Sequence, residues 1–119
     1  MSPTEPTPTR NLAEAPELSA AIDRLWTRFL PEIRERVAVL EAAAAAFAAN
    51  TLTLQQHEEA NTAAHKLAGV LGTFDLTRGT ILARELELLY AHDNGPNPDF
   101  AARLASIAAE IRTLVENRK

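Results

Sequence analysis

The run Ala64-His65-Lys66-Leu67-Ala68-Gly69-Val70-Leu71-Gly72-Thr73-Phe74 separates its polar and apolar side chains at helical spacing. At roughly 100° per residue, Ala60, Ala63, Ala64, Leu67, Leu71 and Phe74 gather on one face, as a core stripe does. His65 lies across from them, in a column with Glu58, Asn61, Thr62, Ala68, Gly69 and Gly72. Every neighbour one or two turns away from the histidine is small or polar. A glycine costs a helix about 1 kcal/mol relative to alanine. Two of them beside His65 clear the surface around one imidazole, which marks that side of the helix as a docking face.

The segments on either side repeat the amphipathic pattern. Thr53-Leu54-Gln55-Gln56 fits a capping box, in which the threonine oxygen takes an orphan N–H and the glutamine reaches back. The His65 helix is expected from there to about Phe74. Thr77 is the expected cap of a third helix, with Ile81, Leu82, Leu86, Leu89 and Tyr90 as its apolar positions. Asp93-Asn94-Gly95-Pro96 reads as a turn. Asn97-Pro98-Asp99 then supplies a cap, a first-position proline and an acidic first-turn residue. The fourth helix carries Phe100, Leu104, Ile107, Ile111 and Leu114 on one stripe.

Towards the N-terminus, a helical stripe runs from Glu17 through Leu18, Ile22, Leu25, Phe29, Ile33, Val37, Leu40, Ala44 and Phe47, and ends at Asn50 and Thr51. Pro31 removes a backbone donor within it, but the stripe stays in phase on both sides, so one kinked helix is favoured over two. Residues 1–16 hold four of the seven prolines and read as a disordered tail or linker. Short connections between amphipathic helices predict antiparallel neighbours. The expected fold of residues 17–119 is all-α, an up-down antiparallel four-helix bundle with an N-terminal helical extension.

Composition narrows the function classes. Hydrophobic residues make up 46% and charged residues 24% of 119, ordinary for one globular domain. A net charge of −4 argues against a general nucleic-acid footprint. With no cysteine, disulfides and thiolate metal sites are excluded. Ala42–Ala49 is too short to span a bilayer, and the start has neither the basic head nor the apolar segment of a signal peptide. A cytoplasmic protein without membrane association is expected. There is no Gly-x-x-x-x-Gly-Lys-Ser/Thr loop, so neither ATP binding nor self-phosphorylation is expected.

His65, Leu67, Gly69 and Gly72, followed by Phe74, Leu76, Leu82, Leu86 and Glu87, resemble the signature of histidine-containing phosphotransfer (HPt) domains. That signature reads approximately as a histidine, a leucine, a glycine four residues after the histidine, a further glycine, and a leucine–glutamate pair on the next helix. The resemblance is strongest over residues 61–90. Three positions depart from the pattern. The lysine often found three residues after the histidine is Ala68 here, with Lys66 one residue after it instead. A small polar position is Val70, and a glycine common at the helix end is Asp75.

The resemblance implies that His65 accepts a phosphoryl group from an aspartyl phosphate on a response-regulator receiver domain and passes it to another receiver. The chain would then be a phosphohistidine intermediate of a two-component phosphorelay in signal transduction, rather than a self-contained enzyme. The receiver would supply the acidic pocket and Mg²⁺, so no cofactor of the chain's own is expected. A histidine kinase acting in trans is a second donor of the same class. The chain is expected to act as a monomer. The competing reading is a non-catalytic helical interaction module whose small-residue face receives a partner helix.

The chemistry suits the residue. A neutral imidazole keeps one ring nitrogen free to attack phosphorus, and phosphoryl transfer depends mainly on alignment and charge stabilisation. Asn61, one turn before His65, is either a hydrogen-bond partner of the imidazole or phosphoryl group, or a simple surface residue. Lys66 projects roughly 100° away from the histidine. It and Arg78 and Arg84 of the next helix are either solvated charges or attractors of phosphate. Ala68, Gly69 and Gly72 are expected as docking surface, and Glu85 and Glu87 as surface partners of Arg84 and Arg78. His57-Glu58-x-x-Asn61 has the spacing of a zinc-peptidase motif but an asparagine at the second ligand position, so no metal site is expected. His92 reads as a solvated helix end, and Trp26 as packing.

Overall fold

The computed structural model describes residues 6–91 and 98–118, with side chains from residue 16 onward. The expected turn at residues 93–96, the Asn97 cap and His92 lie outside the described residues. Four helices follow one another: α1 (Pro6–Ala48), α2 (Leu54–Thr73), α3 (Thr77–Tyr90) and α4 (Pro98–Asn117). Among the described residues there is no strand, and no helix is long and apolar enough to cross a membrane.

Helix α1 is a single helix that runs through Pro31, and it begins at Pro6, within the stretch read as a tail. The chain divides into two compact units at Leu30/Pro31. In the first unit Trp26 is buried, whereas Leu18, Leu25 and Phe29 are exposed although they share the sequence stripe with the core residues further on. In the second unit Ile33, Val37, Leu40 and Ala44 of that stripe are buried.

Both helix ends that precede a tight connection close the same way. At the end of α1, Thr51 N–H reaches Ala46 O at 2.8 Å and Asn50 N–H reaches Phe47 O at 3.0 Å. At the end of α2, Leu76 N–H reaches Leu71 O at 2.9 Å and Asp75 N–H reaches Gly72 O at 3.1 Å. These paired bonds define the Schellman closure, which needs a left-handed residue between them. Asn50 (φ 57°) and Asp75 (φ 61°) fill that place. The α2 closure also corrects the expected start of α3. Leu76, not Thr77, is the N-cap, and its carbonyl takes the first bond from Thr80 N–H at 3.0 Å. Leu76 closes α2 with its N–H and opens α3 with its carbonyl, so α3 starts at Thr77, one residue earlier than a threonine cap would place it. At the start of α2 the Thr53 capping box is present in full, with Gln56 N–H donating to Thr53 Oγ1 and Thr53 N–H donating to Gln56 Oε1.

Within the second unit, cross-helix pairs fix the topology. Asn61 meets Glu87 and Ala68 meets Thr80, so α2 and α3 are antiparallel. Arg103 meets Glu85 and Arg78 meets Glu110, so α3 and α4 are antiparallel. Arg34 meets Glu116, Arg112 meets Glu41, and the Phe47 and Phe100 rings lie 5.4 Å apart, so α4 runs antiparallel to residues 31–48 of α1. The result is an up-down bundle around Ile33, Leu40, Leu67, Leu71, Leu82, Leu86, Leu104, Ile107 and Ile111, all fully buried. Each such side chain contributes about 1.5–3 kcal/mol of burial free energy. Ile81 is exposed rather than core, and Val115 rather than Leu114 completes the α4 stripe.

Candidate functional site

His65 stands in the middle of α2 with 71% of its side chain exposed, while the α2 stripe on the far side of the helix is buried as its spacing requires. Its ring has a partner on one side. Nδ1 lies 2.7 Å from Glu87 Oε2, and the Glu87 side chain is only 30% exposed. An ionised carboxylate accepts hydrogen bonds and donates none, so the Nδ1 hydrogen points at Glu87. In the neutral ring, Nε2 then carries the lone pair.

Asn61, one turn before His65, does not bond to the imidazole. Its Nδ2 donates to the backbone carbonyl of Glu87 at 2.8 Å. Glu87 is thus held by α2 through both its main chain and its side chain. The expected partners of the α3 acids are corrected accordingly. Glu87 pairs with His65, while Glu85 pairs with Arg103 and Arg78 with Glu110, both across to α4. These pairings follow from where α2 and α4 lie, which charge patterning within α3 does not reveal.

The column around His65 splits into two sides. At 100° per residue Asn61, Ala68 and Gly72 are rotated roughly 20–60° one way from His65, and Glu58, Thr62 and Gly69 by similar amounts the other way. Helix α3 covers the first side. Ala68 is buried and its carbonyl accepts from Thr80 Oγ1 at 3.1 Å. A Cβ on Gly72 would stand 3.3 Å from that same hydroxyl. Ala68 is therefore packing rather than open surface, and Gly72 lets α3 approach. The second side is open, and a Cβ on Gly69 would meet nothing within 4 Å.

Lys66 and Arg84 are exposed and make no ion pair with a described residue. Lys66 borders a shallow groove between α1 and α2, with Glu35, Glu58 and Glu59 on its walls. His57 packs edge-on to the Tyr90 ring, with centroids 5.8 Å apart. No group of three or more His, Cys, Asp or Glu side chains converges on a common point among the described residues.

A surface imidazole with one nitrogen tied to a carboxylate and the other bare can act as a nucleophile towards an incoming electrophile. The neighbour of His65 that sequence reasoning misplaced is Glu87. It belongs to the leucine–glutamate pair of the signature but was expected as a surface charge. Hairpin symmetry carries the missing signal: residues 65 and 87 both lie eleven positions from Leu76, which is about three helical turns on each side of the connection.

The Hpt domain profile matches residues 24–117. Protein RcaC of Microchaete diplosiphon is 40% identical over 98 residues, which covers 82% of this chain and 15% of that protein. No solved structure matches the chain. With the profile running from within α1 to the end of α4, the chain belongs to the Hpt domain family.

Proposed function

We propose that His65 is the phosphoryl acceptor of this phosphotransfer module, that Nε2 is the attacking atom, and that the donor is an aspartyl phosphate on a receiver domain. The Nε2 lone pair forms the N–P bond as the bond from phosphorus to the aspartyl oxygen breaks, and the leaving group is the aspartate carboxylate. The imidazole becomes positive in this step, and Glu87, 2.7 Å from Nδ1, stabilises that charge without moving. Transfer onward to a second receiver reverses the same bonds. Mg²⁺ and the acidic pocket belong to the receiver. Lys66 and Arg84 supply unpaired positive charge on the two helices that carry the site, and Gly69 leaves the open side of His65 clear for the partner's approach.

The single observation that supports this reading best is the His65–Glu87 pair on an exposed ring, because it sets both the orientation and the tautomer needed for attack. The test is incubation with a receiver domain carrying labelled aspartyl phosphate. Acid-labile label is expected on the wild-type chain and on His57→Gln and His92→Gln, and none on His65→Gln. Normal labelling of His65→Gln would remove His65 from the mechanism.

A further inference from the structure

We infer that Asn61 is a positioning residue, which holds the His65 ring in its reactive form by capping the last turn of α3 from the neighbouring helix; the inference rests on the assignment of His65 above. The last four carbonyls of a helix have no intrahelical N–H to receive. Glu87 is the first of these in α3. Ala91, whose N–H would serve it if the helix continued, donates to Leu88 O at 3.1 Å instead. Among the described residues, the Glu87 carbonyl is therefore left to the Asn61 amide, at 2.8 Å. From the same residue, the carboxylate reaches His65 Nδ1 at 2.7 Å. Asn61 and His65 are four residues apart on one face of α2, so a single residue of α3 is gripped at two points by adjacent turns of its neighbour.

The two contacts differ in what they do. The main-chain bond fixes the height of the Glu87 backbone against α2, in a turn that would otherwise fray. The side-chain bond then needs only a short, partly buried carboxylate in one rotamer. Without the amide, the last turn of α3 loosens and the Glu87 carboxylate swings towards solvent. His65 then loses its Nδ1 acceptor and populates the Nε2–H tautomer, which has no lone pair at the attacking atom. Asn61 touches neither the phosphoryl group nor the imidazole and acts through Glu87.

The test reads the imidazole directly. Ring-nitrogen NMR of protein labelled with ¹⁵N-histidine, at about pH 8 where a histidine ring is mostly neutral, reports which nitrogen carries the hydrogen, with no receiver present. Wild type is expected to show Nδ1 protonated and Nε2 bare at His65. Asn61→Ala removes the donor, and Asn61→Asp keeps the shape but sets an acceptor against the carbonyl. Both are expected to move His65 towards a tautomer mixture and to slow transfer from a labelled receiver by about tenfold or more, since small misplacements of reacting atoms carry large rate losses. In a Glu87→Ala background, Asn61→Ala should change neither quantity. A wild-type ring pattern in both folded variants, an undiminished effect in the Glu87→Ala background, or loss of helical signal in both variants would overturn the inference. A tautomer shift in a protein that takes no label would support the positioning role and discard the phosphoacceptor assignment instead.

Discussion

The role proposed for His65 gives two neighbours opposite duties, Glu87 to hold the ring and Gly69 to stay out of the way. Replacing the carboxylate should slow phosphotransfer by about tenfold in Glu87→Gln, which keeps an acceptor, and by about a hundredfold in Glu87→Ala, which does not. Stopped-time transfer from a labelled receiver measures both, and equal rates in all three proteins would show the pair to be idle. The glycines divide in the same way. Gly69 has open space where a Cβ would go, so Gly69→Ala should raise stability by up to about 1 kcal/mol in chemical denaturation. Gly69→Leu should keep the fold and lose most of the transfer, because its bulk stands one turn from Nε2 on the approach side. Gly79→Ala should destabilise the bundle, since its Cβ would lie 2.9 Å from Leu71 Cδ1. Much of this was legible in the sequence: the histidine, its glycines and the buried face all follow from spacing. Which side of the column α3 covers was not, because one helix's periodicity carries no information about where its neighbour lies. Ala68 and Gly69 look equivalent beside His65 until α3 is placed over one of them.

Among the elements, the connections carry the strain and the helices carry the order. Asn50 and Asp75 hold left-handed φ values that cost an L-residue energy and a glycine almost none. Asp75→Gly and Asn50→Gly should therefore each stabilise the fold by about 0.5–1 kcal/mol, net of the greater freedom of glycine in the unfolded chain. Thermal melts at neutral pH would show this, and a lower midpoint in Asp75→Gly would mean that the aspartate makes a compensating contact. The Tyr90 hydroxyl at the end of α3 is buried without a hydrogen-bond partner among the described residues. Tyr90→Phe should stabilise by about 1 kcal/mol, because it removes an unmet polar group and keeps the ring. The helices themselves were readable from capping boxes and stripes. The start of α3 was not, because the Schellman closure at Asp75 claims Leu76 first, and an aspartate in place of glycine hides that closure from a sequence reader.

Over the whole molecule, charge pairs between helices shape the response to pH. The Arg78 guanidinium holds the Glu110 carboxyl below its ordinary value, and Arg34 does the same to Glu116, with Arg112 adding to it. A carboxyl whose folded value is depressed favours the folded state above its unfolded value of 4.5, and that contribution is lost as pH falls through the lower folded value. The melting temperature should therefore drop below that pH, less steeply in Arg78→Ala and Arg34→Ala than in wild type. At the alkaline end, burial pushes the Tyr90 phenol from 10.0 up to about 12. The folded state keeps its proton where the unfolded chain releases it, so stability is full below pH 10 and falls between there and about 12. Tyr90→Phe should lack that decline. The four-helix architecture was legible in residues 31–91 and 98–117 but for the start of α3, whereas the exposure of Leu18, Leu25 and Phe29 was not, since they share one stripe with Ile33 and Val37. The chemistry proposed for His65 can be read at the atom. Protein labelled with ¹⁵N-histidine, phosphorylated by a receiver domain and examined by NMR without acid treatment, should carry phosphorus on His65 Nε2 with Nδ1 still bearing its hydrogen. Phosphorus on Nδ1, on another residue, or nowhere in a protein mixed with a competent phosphorylated receiver would contradict the account.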